Sequence, residues 1–243
     1  MKKSILLIIV MLLGVSTMNA QWFGGKTIKG NGKMTTENRN TSDYQGVALV
    51  GSMDVELVAG KEGKLIVAAE SNLIAYITTK VENGTLKISV EKGVSLDPSN
   101  NKTIKITVPF EDLEEVTLTG SGDIWNKDQI KSEYLKVNMT GSGDIKLDVF
   151  AKEVTSGVTG SGDIVLSGKT NSLTCAVTGS GDFQAFNLSA ENVKATVSGS
   201  GDIEVTASKD LEAKVSGSGD IVYKGNPEKE NFKTFGSGEI SKY

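Results

Sequence analysis

The chain reads as an all-β protein: a right-handed parallel β-helix (β-solenoid) preceded by an irregular β-rich N-terminal half. Three observations predict this. Between Thr119 and Ile240 nearly the same five residues recur seven times, first as Gly120-Ser121-Gly122-Asp123-Ile124 and then opening at Gly141, Gly160, Gly179, Gly199, Gly217 and Gly236. The intervals are 21, 19, 19, 20, 18 and 19 residues, and so constant a period marks units that bury an apolar face only by stacking. Around each repeat the even positions are apolar or Gly and the odd ones mostly polar, the period of a strand with one buried face. Finally, Gly-Ser-Gly-Asp is not the two-residue reversing turn that an antiparallel sandwich, the main structural competitor, would need between its strands.

Counting from the first Gly of each copy makes the alternation explicit. Two residues before it stand Leu118, Met139, Val158, Val177, Val197 and Val215; four after it stand Ile124, Ile145, Ile164, Phe183, Ile203, Ile221 and Ile240. Both glycines fall on the inward side, where a corner leaves little room, while Ser and Asp fall outward. Parallel strands stacked about 4.8 Å apart would align like residues in columns. Handedness rules for parallel connections favour a right-handed coil.

The remaining elements follow from the N-terminus. Lys2 and Lys3 precede an apolar run from Ile5 to Val15, with small or polar residues to Ala20. This describes a secretory signal peptide over residues 1–20, since the run is too short to span a bilayer. Cleavage after Ala20 would leave Gln21 first. No Cys lies near the cut, so anchoring through a lipidated cysteine is not expected there. No later segment has the roughly 18 consecutive apolar residues of a span. Residues 21–113 form the β-rich N-terminal part that packs on or begins the solenoid, and 114–243 form the repeat. Strands are predicted over 46–50, 54–59, 64–69, 76–81, 85–90 and 103–108, with Asn83-Gly84 a hairpin turn. Gly51-Ser52-Met53-Asp54-Val55 looks like a degenerate copy of the repeat. Gly93 to Lys102 reads as a polar loop. Beyond the Gly225-Asn226-Pro227 break, Phe232, Phe235 and Tyr243 are expected either to cap the last coil or to leave an edge open to self-association.

Composition narrows the function. Without the signal peptide, 24 basic side chains face 30 acidic ones, a net charge of −6. That argues against a nucleic-acid partner and against attraction to an anionic membrane. There is no His, so neither an imidazole base nor a His-containing zinc site is possible. Arg39 is the only arginine, and thus the only side chain able to grip a carboxylate or phosphate in bidentate fashion. Cys175 is the only cysteine, which rules out an intrachain disulfide.

The first candidate site is an outward ladder of Asp123, Asp144, Asp163, Asp182, Asp202, Asp220 and Glu239. Carboxylates at that spacing repel by roughly 1 kcal/mol per neighbouring pair in water, so something must offset the cost. Local hydrogen bonds in a turn are the first reading; calcium, which prefers clustered oxygen ligands, is the second. The spacing matches neither the glycine-rich calcium nonapeptide nor a helix-loop-helix calcium loop, and no cofactor or resident metal is expected. Trp125, the second candidate, stands at an outward position. Its indole either stacks on a sugar or is covered by the longer first interval, which brings Tyr134 nearby. Cys175 lies in an inward column of small residues and reads as core rather than nucleophile. Ser121 and its copies lack a base.

An N-terminal signal, an irregular β-rich first half and repeated Gly-Ser-Gly-Asp-Ile corners resemble the head GIN domain family of putative auto-transporter adhesins. The resemblance spans roughly Tyr44 to Ser241 and is most specific in the repeat. It implies a right-handed β-helix, adhesion by analogy of shape, and no catalytic residues. No C-terminal stretch of this chain reads as a translocating barrel.

The resulting expectation is a non-catalytic exported cell-envelope or secreted protein (periplasmic, outer-membrane or extracellular) acting as a binding or adhesion-type module toward a cell-surface glycan or protein. The alternative is a structural or self-assembling envelope element. A polysaccharide-acting enzyme is the third reading. It would need two carboxylates at a defined separation, which the ladder supplies in principle, and a groove of long loops, which the short coils do not.

Overall fold

A computed structural model describes residues 25–243; the expected signal peptide lies outside the described residues. The described residues are nearly all-β, 70% strand and 1% helix, arranged as a β-solenoid of about 7 turns. Its first strands are β1 (Lys26–Lys29), β2 (Met34–Asn40), β3 (Gly46–Gly51), β4 (Asp54–Ala59), β5 (Lys64–Glu70), β6 (Ile77–Glu82), β7 (Thr85–Val90), β8 (Val94–Asp97) and β9 (Lys105–Phe110). The repeat region supplies β10 (Glu115–Gly120), β11 (Asp123–Asn126), β12 (Ile130–Gly141), β13 (Asp144–Gly160), β14 (Ile164–Gly179), β15 (Phe183–Gly199), β16 (Ile203–Gly217), β17 (Ile221–Lys224), β18 (Lys229–Gly236) and β19 (Ile240–Lys242).

Every pairing between successive coils of the repeat is parallel, and the corners stay in step although β14–β15 and β15–β16 shift register between them, near Val165–Ser167 and Ala185–Asn192. Gly120 faces Gly141, Gly141 faces Gly160, and so on to Gly217 opposite Gly236. The alternation therefore builds straight internal columns. Leu118, Met139, Val158, Val177, Val197 and Val215 are buried, as are Ile124, Ile145, Ile164, Phe183, Ile203 and Ile221. A second corner falls where two consecutive exposed residues break the alternation, as at Lys152-Glu153 between buried Ala151 and Val154.

The glycines at the main corner answer to two different constraints. Gly141 has φ +129°, outside the range of ordinary side chains. Gly143 has no such φ, yet a Cβ there would lie 2.0 Å from the carbonyl oxygen of Gly122 in the preceding coil. Coils approach too closely at this edge for any side chain to stand between them.

The degenerate copy at Gly51 is a true corner. Strand β3 pairs in parallel with β10, Gly51 opposite Gly120, and β4 pairs with β11, Val55 opposite Ile124. A further coil lies beyond it: β7 pairs in parallel with β3, and β9 with β4. Stacking order thus departs from chain order, because the segment 85–110 sits on the far side of 46–59 from 115–126. In that outer coil the corner is replaced by residues 91–104. The polar loop expected there contains β8, which pairs in parallel with β1.

This end of the stack is closed by strands of reversed direction. On one side β6 pairs antiparallel with β7 through the predicted Asn83-Gly84 turn, both residues having positive φ (52° and 78°). On the other side β5 pairs antiparallel with β9, and β2 with β5. Two polar side chains secure the closure. Arg39 Nη1 and Nη2 donate to the carbonyls of Ile77 and Ile74. Buried Glu70 accepts from Ser99 N (2.9 Å), Ser99 Oγ (2.6 Å) and Gly32 N, tying the β1 and β8 segments to β5.

Two outcomes follow. Gly162→Ala, which aims a Cβ at Gly143 O 2.0 Å away, should cost roughly 3 kcal/mol by chemical denaturation, whereas the exposed Ser161→Ala should stay within about 0.5 kcal/mol of wild type. The donors around Glu70, the Ser99 hydroxyl foremost, hold its carboxyl below the usual carboxylate range. Its stabilisation is therefore present above an ordinary glutamate value of about 4.3 and is lost as pH falls through the lowered folded value. Hydrogen exchange should show residues 26–33 and 94–99 losing protection first on acidification, and Glu70→Gln should expose the same segments at neutral pH.

Candidate functional site

At the main corner the chain must turn while remaining paired with both neighbouring coils. The first Gly carbonyl accepts two donors from the next coil: Ser142 N and Gly143 N reach Gly120 O at 2.9 and 3.2 Å, and the same fork recurs up the stack. Beyond the second Gly, each Ile N–H turns to the following coil, as Ile145 N donates to Asp163 O at 2.9 Å. The Asp N–H points to the preceding coil, where a side chain receives it. Asp144 N donates to Asp123 Oδ1 (3.1 Å), Asp163 N to Asp144 Oδ1 (3.1 Å), Asp182 N to Asp163 Oδ1 (2.8 Å) and Asp202 N to Asp182 Oδ1 (2.9 Å). Asp220 N then donates to Asp202 Oδ1 and Glu239 N to Asp220 Oδ1, both at 2.7 Å.

The Asp ladder is thus a set of backbone acceptors reaching between coils, not within a turn. Each Asp carboxylate from Asp123 to Asp220 takes a charge-assisted hydrogen bond from an N–H that the corner geometry leaves over, and such bonds contribute roughly 1.5–3 kcal/mol. That exceeds the mutual repulsion of about 1 kcal/mol. Among the described residues, no three His, Cys, Asp or Glu side chains come together as a metal cluster. One coil earlier Asp54 stands beside Asp123, since Val55 pairs with Ile124, at the corner that Gly51-Ser52-Met53-Asp54-Val55 signalled. The Asp54 carboxyl is held above the usual range, first by burial and then by the Asp123 charge; the nearby Asp123 backbone and Lys105 partly oppose the rise.

Trp125 is half-buried, and its cover differs from the expected one. Its Nε1 lies 3.4 Å from Glu56 Oε1, and Lys105 Nζ stands 5.3 Å from the ring centroid while pairing with Glu56 at 3.1 Å. Tyr134 instead stands opposite Glu153 and is 43% exposed. The displaced coil is the reason: it brings Lys105 beside Asp54 and hence over the Trp125 side of the stack. Hydrogen bonding to Lys105 keeps the Glu56 carboxyl below its usual range. Cys175 is buried and its thiol is pushed far up by desolvation, as expected of a core residue. Arg39 spends its guanidinium on backbone carbonyls at the closed end.

What the corner leaves free is hydroxyl. One residue before the first Gly stand Thr119, Thr140, Thr159, Thr178, Ser198 and Ser216, aligned coil on coil and all exposed. One residue after it runs a second exposed column, Ser121, Ser142, Ser161, Ser180, Ser200 and Ser218. With the free Asp oxygens they form a straight ridge of three parallel polar columns, repeating about every 4.8 Å.

The ladder is tested by Asp163. Asp163→Ala leaves Asp182 N without its acceptor and should cost about 1–3 kcal/mol in denaturant titrations. Asp163→Asn retains an acceptor oxygen and relieves repulsion, and should recover at least half of that loss.

Comparison with known proteins places these features. The family model described as "putative auto-transporter adhesin, head GIN domain" matches residues 43–227. A solved structure of a putative adhesin from Bacteroides fragilis is similar with a TM-score of 0.84 and 25% identity, covering 89% of this chain and 100% of that one. A putative lipid binding protein from Parabacteroides distasonis is similar at 0.73 and 32% identity, covering 90% and 100%. A putative adhesin from Parabacteroides merdae shares the fold at 0.70 and 21%, covering 90% and 99%. No curated protein matches the chain. The chain belongs to the head GIN domain family of putative auto-transporter adhesins.

Proposed function

We propose that the protein is an exported, non-catalytic module of the cell envelope that binds a repetitive polar surface through its corner ridge. One observation carries the reading: two columns of exposed hydroxyls run in step along the repeat, beside carboxylates already engaged by backbone N–H groups. Such a ridge is rigid before binding, so little conformational entropy is lost when a ligand lies along it. Its regular rise suits a ligand that also repeats, and a cell-surface glycan chain is the class we favour. Membership in an adhesin-type family and an N-terminal secretory signal support export and binding. In this arrangement the described residues before 114 begin the stack and close its end, and 114–243 carry the ridge.

Two other readings compete. An enzyme acting on polysaccharide would place general acid chemistry at Asp54, the carboxyl pushed above its usual range; against it, the neighbouring carboxylate Asp123 is already engaged by Asp144 N. A lipid ligand, named for the Parabacteroides distasonis relative, would use apolar surface. Of the exposed large apolar residues, Met34, Val50, Ile66, Tyr134 and Phe150 stand on five separate strands, β2, β3, β5, β12 and β13, and only Phe232, Phe235 and Tyr243 gather, at the last coil.

The experiment is binding of the protein to whole cells and immobilised envelope glycans. A Thr140→Arg, Thr159→Arg, Thr178→Arg triple variant should lose at least about tenfold in affinity, or 1.4 kcal/mol, while circular dichroism shows the fold retained. Binding that survives this variant, transfer of the signal to lipid vesicles, or release of sugar fragments would overturn the reading.

A further inference from the structure

The two ends of the solenoid are built differently. At the N-terminal end the last parallel coil is followed by antiparallel strands, with Arg39 and Glu37 on the outermost one. At the other end β18 runs parallel to β16 and has no second partner strand among the described residues. All eight of its residues are exposed, including Phe232 at 38% and Phe235 at 60%. An edge of this length and direction is a template for another strand.

We propose that β18 is a homodimer interface, in which two copies of this chain join end to end with their β18 strands antiparallel about a two-fold axis. The side-chain order of the strand argues for a second copy. Opposite residues of an antiparallel pair share one face of the sheet, so core-facing positions must meet core-facing positions if the interior is to continue. In β18 the core-facing positions include Glu230, Phe232 and Thr234, which stand over Leu211, Ala213 and Val215. A two-fold centred on Phe232 sets Phe232 on its copy, Glu230 opposite Thr234, Asn231 opposite Lys233 and Lys229 opposite Phe235. Every opposition is apolar, hydrogen-bonding or cation–aromatic. The neighbouring same-face registers fail: centring on Asn231 opposes Lys229 to Lys233 twice, and centring on Lys233 opposes that lysine to itself. Glu230 is already oriented by the Tyr223 hydroxyl at 3.0 Å, and the Phe232 ring packs on Tyr223 with centroids 5.6 Å apart. This interface is independent of the ridge and does not rest on its proposed role.

Sedimentation across a concentration series, on protein processed from the full chain, tests the association. A monomer–dimer equilibrium is expected. Thr234→Glu places a second carboxylate opposite Glu230 at two symmetric positions and should weaken dimerisation about tenfold, whereas Thr234→Lys should hold or strengthen it. Circular dichroism melting confirms that both variants fold. Register is read by single cysteines, for which buried Cys175 is a silent background. Under oxidant Phe232→Cys should give a disulfide dimer far faster than Asn231→Cys or Lys233→Cys. A monomer at every concentration, open-ended polymers, equal effects of the two Thr234 variants, or equal crosslinking at the three cysteines would overturn the proposal.

Discussion

The fold depends on the hydrogen-bonding of one corner. A coil that turns sharply between two others must keep donors and acceptors aimed along the stack while its direction changes, and the five-residue repeat does this with three devices. A glycine at positive φ makes the bend and offers its carbonyl to two donors above. A second glycine, with no Cβ to intrude, lets the neighbouring backbone come close. An aspartate then supplies the acceptor that the turn removes. Without that acceptor each coil would leave one N–H unpaired, at a cost of about 1–3 kcal/mol. Repeated through the stack, such a deficit would rival the whole stability of an ordinary domain.

The same devices set what the surface can do. Because each Asp from Asp123 to Asp220 is held by a backbone donor, the acidic column is locally compensated rather than waiting for a counter-ion. The residues between the glycines and before them face outward at fixed spacing, and nothing in the backbone pairing requires their side chains. Structural and surface roles are thereby separated along a five-residue motif: even positions pack, Asp pairs, and Ser and Thr remain available. A stack of such corners is rigid along its axis through nearest-neighbour contacts alone. Its ridge can therefore present a long, regular contact surface without long loops.

Much of this was legible because the sequence encodes it locally. Fixed intervals and a period of two determine which residues form columns, and the strands from Gly46 onward fell close to their predicted limits for the same reason. Less local features were not legible. The segment 85–110 has no Gly-Ser-Gly corner, and alternation identifies a strand without naming its neighbour, so the exchange of stacking order had no signature. Trp125 was misassigned a cover as a direct consequence, since Lys105 reaches it only through that exchange. Strand β8, four residues long, is too short to show a period. Glu70 and Arg39 are isolated polar residues in sequence, and their roles exist only once distant segments are brought together. The ladder residues were found, but their partners were placed within the turn, because the acceptor needed by the next coil appears only in three dimensions.

The two ends of the stack show why a solenoid needs more than its repeat. An internal coil is stabilised from both sides, and a terminal coil from one. At the N-terminal end the chain reverses strand direction and uses Arg39 to bind the carbonyls of Ile74 and Ile77. An inward charge on an outer strand also discourages further growth. At the C-terminal end the repeat continues into its seventh corner, Gly236-Ser237-Gly238-Glu239-Ile240, with no reversed strand beyond it among the described residues. There the internal column changes from Leu211, Ala213 and Val215 to Glu230, Phe232 and Thr234, keeping one apolar residue between two polar ones. A purely solvent-facing end would gain nothing from an aromatic at that central position, and a sealed end would not place a carboxylate beside it. An alternating row of this kind satisfies its own reversed copy, which gives the last coil the second neighbour that every other coil already has.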